Sequence, residues 1–285
     1  MITNVLEMLE KARAEGYAVG AFNTVNLETT RGIILAAKEM KSPAILQVTE
    51  KTFDYAGGRA IFQLIKNMAE VYAPEIPIGI HLDHGKSFEV VERAMEIGFP
   101  SVMYDGSRKE YADNLMTTRK IVELAHLRGI TVQAELGNVP YLGEVNMDSI
   151  NWDNYMTDPA QAVEFVAQTG IDTLAVAIGN AHGFFKEREV PDYDRLSSIA
   201  SQVSVPLVLH GSSDWSEERV RKVIGMGISC FNVDTSIRLA FIGAIKQHLE
   251  EHDETDIRRL LEGGKAGVQD AVKVKIRMYG GEGKA

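Results

Sequence analysis

The segment "IPIGIHLDHGKSFEVVERAMEIGFPSVMYD", residues 76 to 105, contains one complete strand–helix–strand unit, and this unit decides the fold. Its first part, "IPIGIHL" (76–82), is apolar at almost every position, which is typical of a parallel strand buried on both faces. The part "SFEVVERAMEIG" (87–98) begins with Ser87 as a helix cap, has Glu89 in its first turn and ends near Gly98. A second apolar run, "SVMYD" (101–105), follows directly.

The same unit recurs along the whole chain. Six further β-rich runs alternate with helical patterns: "YAVGAFN" (17–23), "PAILQVT" (43–49), "TVQAEL" (131–136), "TLAVAIG" (173–179), "PLVLHG" (206–211) and "SCFNVD" (229–234). Eight alternations in one chain predict an α/β fold, a (β/α)8 TIM barrel forming a single domain over residues 1–285. A doubly wound open sheet is the alternative, but no Gly-x-Gly-x-x-Gly follows the first strand.

Composition excludes several functional classes. The chain has 285 residues and a formal net charge of −10, so it is a poor non-specific partner for nucleic acid or anionic lipid. It has one cysteine, Cys230, in a run that predicts a buried strand, and an inert core thiol is its expected role. No apolar stretch is long enough to span a membrane, and the N-terminus is an acidic amphipathic helix pattern rather than a signal peptide. We expect a soluble cytoplasmic protein.

Polar residues concentrate where the predicted strands end. In a barrel of this kind the active site lies at the carboxyl ends of the strands. His84, His182 and His210 follow three different strands there, each beside a glycine. A lone histidine near a strand end is more often a hydrogen-bonded wall residue, but three in neighbouring positions match a catalytic zinc site with an open fourth position. His81, two residues before Asp83, is assigned to barrel packing.

Two carboxylates and several small residues share this end of the barrel. Asp105 and Glu135 are either outer partners of a ligand histidine, ligands of an alternative metal position, or helix caps and ion-pair members. The turns after strands seven and eight, with Ser212, Ser213 and Thr235, could hold a phosphate through backbone N–H groups. Ordinary tight turns explain the same residues equally well.

These residues, in this order, resemble a known family. "HLDHG", "YDGS", "AELG", "TDPAQAVEFVAQTGIDTLAVAIGNAHG", "PLVLHG" and "FNVDT" are similar to motifs of the class II, zinc-dependent fructose/tagatose-bisphosphate aldolases. The beginning, "GAFNTVNLETTRGIILAA", and the end, "VKIRMYGGEGKA", resemble the family as well, so the similarity covers essentially the whole chain.

The resemblance implies an enzyme that reversibly cleaves a phosphorylated ketose to dihydroxyacetone phosphate and an aldehyde. It implies that His84, His182 and His210 bind zinc and that Asp83 is the acid/base. Zinc would act as a Lewis acid on the enediolate formed by cleavage. A second base is expected on the loop after strand five, where Glu144 is the only acid in the first part.

The same resemblance extends to the phosphate and to assembly. It implies that the phosphate of the dihydroxyacetone half is bound by a set of residues from three loops: Gly183, Gly211, Ser212, Ser213, Asn232, Asp234 and Thr235. It also implies a monovalent cation, Na⁺ or K⁺, near that phosphate, and a homodimer or homotetramer.

Three departures from the family pattern concern the substrate. The loop around Glu144 reads "VPYLGEV", and the phosphate loop reads "HGSSDW", in which Ser212 replaces a glycine and Asp214 adds a negative charge. Where bisphosphate-specific members have an arginine, the placement gives Glu262 or Lys265. A glutamate there would repel a second phosphate, which suggests a ketose 1-phosphate as an alternative to a bisphosphate.

Other functions are less well supported. A Schiff-base aldolase needs a lysine inside a barrel strand, and none of the eight runs has one. A metal-dependent barrel hydrolase would have His-x-His on strand one, and "GAFNTVN" has none. A non-catalytic companion barrel would be expected to lack Asp83 or a histidine ligand, and all are present.

Overall fold

The computed structural model describes residues 1–141, 150–183 and 191–285. Eight parallel strands form a closed barrel in which each strand pairs with its neighbours in sequence and β1 pairs with β8, which confirms the predicted TIM barrel. The strands are β1 Val19–Asn23, β2 Ala44–Thr49, β3 Ile78–Gly85, β4 Ser101–Tyr104, β5 Thr131–Leu136, β6 Thr173–Val176, β7 Leu207–Leu209 and β8 Ile228–Val233.

Helices follow the strands and form the outer layer. They are α1 Val5–Glu15, α2 Leu27–Glu39, α3 Glu50–Thr52, α4 Gly58–Tyr72, α5 Phe88–Ile97, α6 Tyr111–His126, α7 Pro159–Thr169, α8 Tyr193–Gln202, α9 Glu217–Gly225, α10 Thr235–Glu251 and α11 Ile257–Tyr279. A π-helical turn, Phe53–Gly57, joins α3 to α4, and a 3-10 turn covers Trp152–Asn154. Among the described residues, no helix is long and apolar enough to cross a membrane.

Local sequence signals set the helix boundaries. Ser87 accepts a hydrogen bond from the backbone N–H of Val90 at the start of α5, and Gly98 ends that helix in the left-handed conformation at φ 107°. Asn26 and Thr29 form a capping box at the start of α2.

The hydrophobic core has two parts. The larger one fills the space between the barrel and its helices, as expected for strands buried on both faces. The smaller one joins α1 to strand residues, including Val19, Val208 and Cys230. The Cys230 thiol is buried there, and burial raises its pKa, which agrees with the inert role expected of it. With these parts packed, the polar residues lie at the carboxyl ends of the strands.

Candidate active site

The end of β3 supplies two neighbouring polar residues to one cavity. His84 has φ 51°, a left-handed conformation that non-glycine residues rarely adopt, and the pairing of β3 with β4 is irregular between Leu82 and Gly85. Successive strand residues normally face opposite sides, so a regular strand would point Asp83 and His84 apart. The backbone turn at His84 breaks that alternation, and both side chains line one cavity of about 310 Å³.

Three histidines converge at this cavity. Each of His84, His182 and His210 offers one ring nitrogen, and these three atoms lie within 4.8 Å of one another. The Nε2 of His84 is 2.9 Å from the Nδ1 of His210. Three imidazole nitrogens at such spacing are suited to a single transition-metal ion, and zinc takes this donor set with a fourth position left open.

Outer hydrogen bonds determine which nitrogens face the cavity. The Nδ1 of His84 lies 2.8 Å from a carboxylate oxygen of Asp105, and the Nε2 of His210 lies 3.2 Å from the amide oxygen of Gln133. Because both oxygens can only accept, these nitrogens carry the protons. The two nitrogens that face each other then have lone pairs in the neutral rings, so a proton or a metal ion must lie between them.

The charges around His84 favour a cation at this point. Burial lowers the pKa of His84, but the charge of Asp83, the hydrogen bond that His84 donates to Asp105 and the charge of Glu135 together raise it to about 10. For His210, burial and the charges of His84 and His182 hold the pKa well below its usual value. A metal ion bound to both rings would replace the proton on His84.

Glu135 adds a buried carboxyl beside the histidines. It is 2% exposed, and its Oε2 has no hydrogen-bond partner among the described residues. Burial and the negative charge of Asp105 raise its pKa to about 8. His84, Asp105 and Glu135 form a second group that could hold a metal ion. A buried carboxyl oxygen that lacks a hydrogen-bond partner among the described residues, next to three imidazole rings, suits a bound cation better than a purely structural role.

Asp83 is held by two amide groups. Its Oδ2 accepts a hydrogen bond from Asn23 at 2.9 Å, and its Oδ1 accepts one from Asn232 at 3.1 Å. Gln47 in turn donates to the Oδ1 of Asn23 at 2.6 Å. Asp83 is 4% exposed, so these donors, from β1 and β8, replace the water that would otherwise solvate its charge. The carboxylate is fixed in orientation 3.8 Å from the Nε2 of His84.

Much of the cavity wall consists of the loops after β6, β7 and β8. Gly183, Gly211, Ser213, Asp234 and Thr235 all line it. Gly211 has φ 59°, and a β-carbon there would lie 2.5 Å from the carbonyl carbon of Ala181, so only glycine fits. The backbone of this loop therefore packs closely against the loop after β6.

Comparison with known proteins assigns the family. The family model described as fructose-bisphosphate aldolase class-II matches residues 3–284. The chain belongs to this family. It is 40% identical to a fructose-bisphosphate aldolase of Thermus caldophilus, over 100% of both chains. It is 37% identical to one of Geobacillus stearothermophilus, over 100% of this chain and 99% of the other. The crystal structure of the YdjI aldolase of Escherichia coli K12 superposes over 100% of both chains with a TM-score of 0.87 and 32% identity.

Membership in the class II aldolases confirms the predicted fold, family and reaction class. The chain is a lyase that cleaves a carbon–carbon bond, and the family implies a phosphorylated sugar as substrate.

Three residues predicted for this aldolase site, Ser212, Glu262 and Lys265, do not line the cavity. Ser212 is 2% exposed and, unlike its neighbours, does not line the cavity. Glu262 and Lys265 pair with each other on α11, and neither lines the cavity. The effect expected of them on a distal phosphate stays a prediction. Glu144 lies outside the described residues.

Sequence reasoning missed several residues that the aldolase cavity contains. Asn23 and Thr49 line it from the ends of β1 and β2, and Arg238 lines it from α10, where it pairs with Asp234 at 3.0 Å. Tyr141 lines it too and stacks on His182, with ring centroids 4.5 Å apart. The last residues of "YAVGAFN" and "PAILQVT", Asn23 and Thr49, were the available signals, because each is a polar residue at the end of a largely apolar run.

Proposed function

We propose that this class II aldolase is zinc-dependent and reversibly cleaves a phosphorylated ketose to dihydroxyacetone phosphate and an aldehyde. The observation that carries the proposal is one cavity in which three histidine nitrogens lie beside a carboxylate held by two amides. The loops after β6, β7 and β8 line the same cavity, and we assign the phosphate of the substrate to them.

His84, His182 and His210 would hold the zinc ion, with Asp105 as the outer partner of His84. Asp105 and Glu135 are proposed as outer or alternative ligands, because they form the second possible metal group with His84. When bound, zinc supplies positive charge that stabilises the negative charge left on the ketone fragment after cleavage. Hydrogen bonds to Asp105 and Gln133 orient the rings of His84 and His210, which favours tight binding of a metal ion.

Asp83 would handle the proton of the aldehyde fragment. In cleavage it accepts the proton of the hydroxyl group on the carbon that becomes the aldehyde, while the electron pair of the broken bond stays on the ketone fragment. In condensation it returns that proton. The amide groups of Asn23 and Asn232 hold the carboxylate of Asp83 in a fixed orientation for this proton transfer.

The phosphate would bind at the wall made by the last three loops. Gly183, Gly211, Ser213, Asp234 and Thr235 line that wall, and α10 begins there at Thr235. The N-terminus of a 17-residue helix carries partial positive charge and backbone N–H groups, both of which favour a phosphate. Asn232, also predicted for the phosphate, faces the same cavity while it donates to Asp83.

Five further features remain part of the proposal. Glu144 is the second base, which exchanges the proton on the carbon of the ketone fragment. A monovalent cation, Na⁺ or K⁺, accompanies the phosphate. The chain forms one domain over residues 1–285 and assembles as a homodimer or homotetramer. It works in the cytoplasm.

The proposal is tested by retro-aldol release of dihydroxyacetone phosphate from a panel of ketose 1-phosphates and ketose bisphosphates. We expect cleavage of at least one member and a loss of about 100-fold or more in kcat for Asp83→Asn, the size usual for a positioned acid/base. A variant that cleaves as fast as the wild type would refute the role of Asp83. The panel itself decides between a bisphosphate and a ketose 1-phosphate.

A further inference from the structure

Two lysines are buried among the described residues, and both are on α11. Lys265 is 9% exposed and pairs with the carboxylate of Glu262. Lys275 is 8% exposed, and its ammonium instead donates to the backbone carbonyl of Ser213 at 2.8 Å. Burying an ammonium beside a neutral carbonyl costs folding free energy. The contact between Lys275 and Ser213 therefore points to a role beyond stability.

The carbonyl that Lys275 contacts belongs to the wall of the active-site cavity. Ser213 lines that cavity in the loop after β7. The hydroxyl of Ser236, in the first turn of α10, also donates to this carbonyl at 3.5 Å. In a trans peptide the carbonyl and the following N–H point in opposite directions. A carbonyl held from two helices therefore fixes the orientation of the whole peptide group between Ser213 and Asp214.

Charge gives Lys275 a second effect on the same loop. The segment 211–215, "GSSDW", contains no basic residue and one acid, Asp214. Burial lowers the pKa of Lys275, and the charge of Asp214 opposes that shift, so the two groups interact electrostatically. Removing the ammonium would take a positive charge away from this acidic loop, which would then be less favourable for an anion.

We propose that Lys275 is a positioning residue of the phosphate subsite, which holds the Ser213 carbonyl and offsets the charge of Asp214 so that the loop accepts a phosphate. This inference rests on the phosphate site of the proposed function. It adds that a residue from the last helix of the chain, behind the cavity wall, tunes that site without touching the substrate.

The test is calorimetric titration of the holoenzyme with inorganic phosphate, which reports binding independently of cleavage. We expect Lys275→Met to raise the Kd for phosphate by about 10-fold to 100-fold, the range for removing one partner of a buried charged hydrogen bond. Lys275→Arg, which keeps the charge, should recover most of the affinity. The double variant Lys275→Met and Asp214→Asn should recover part of the phosphate affinity, because the negative charge of Asp214 is then removed as well.

Lys273→Met is the matched control, since it removes a paired ammonium from the same helix at a residue that does not line the cavity. We expect its phosphate Kd to stay within about twofold of the wild type, even where its melting temperature falls as far as that of Lys275→Met. Equal losses of affinity in both lysine variants, or wild-type affinity in Lys275→Met, would overturn the inference. A wild-type enzyme that binds no phosphate would overturn the phosphate site itself, and the inference with it.

Discussion

Replacing Asp105 by asparagine tests whether the outer partner of His84 serves a metal ion. The carboxylate of Asp105 lies 2.8 Å from the Nδ1 of His84, and the two side chains are 14% and 15% exposed. Asparagine keeps the shape and can still accept that hydrogen bond, so the substitution removes mainly the negative charge. Loss of such an outer partner weakens metal binding by about 10-fold to 100-fold, or about 1.4 to 2.8 kcal/mol.

The assay is competition for zinc between the protein and a chromophoric chelator, at fixed pH. The matched control is Asp172→Asn, because Asp172 pairs with His126 at 3.0 Å in the same way but away from the cavity. We expect Asp172→Asn to bind zinc as the wild type does. Unchanged zinc affinity in Asp105→Asn, or an equal loss in both variants, would refute this account of the site.

Three further predictions concern the backbone, the acid/base and pH. Gly211→Ala should cost more than about 1 kcal/mol beyond Gly129→Ala in urea unfolding, since both glycines have positive φ but only the Gly211 position is sterically closed; equal losses would contradict this. Asn23→Ala should lower kcat about 10-fold with little change in KM, because Asp83 loses one of its two amide donors; a change in KM alone would be inconsistent with that role. The pKa of Glu135 is raised to about 8, so its contribution to stability is complete below the unfolded value near 4.5 and is lost as the pH rises through 8. Metal-free Glu135→Gln should therefore lose about 4 kcal/mol less unfolding free energy than the metal-free wild type between pH 5 and pH 9. Identical pH profiles would show that the carboxyl is not buried uncharged.

The fold was predictable because its signals are local. The apolar run 76–82 overlaps the first part of β3. Ser87 and Gly98 cap the two ends of α5, as their residue types indicate. A buried parallel strand needs continuous hydrophobicity and a helix needs caps, and both can be read within a short window. The order of such units then leaves few topologies to choose from.

The contacts within the site were less predictable because they depend on barrel closure. Asn23 reaches Asp83 only because β1 and β3 curve around a common axis, which no local pattern reveals. The left-handed turn at His84 depends on an irregular pairing between two strands. Lys275 approaches Ser213 from a helix that is 62 residues away in sequence. Residue types indicated which strand ends matter, whereas the partners of each side chain follow from tertiary packing.

The most direct test of the zinc site is to measure metal content and retro-aldol activity together, in the wild type and in His84→Ala, His182→Ala and His210→Ala. We expect about one zinc ion per wild-type chain and loss of bound zinc in each histidine variant. We also expect exhaustive chelation to abolish the activity and added zinc to restore it. Full cleavage activity in metal-free protein, or wild-type zinc content in all three variants, would contradict the proposed zinc site.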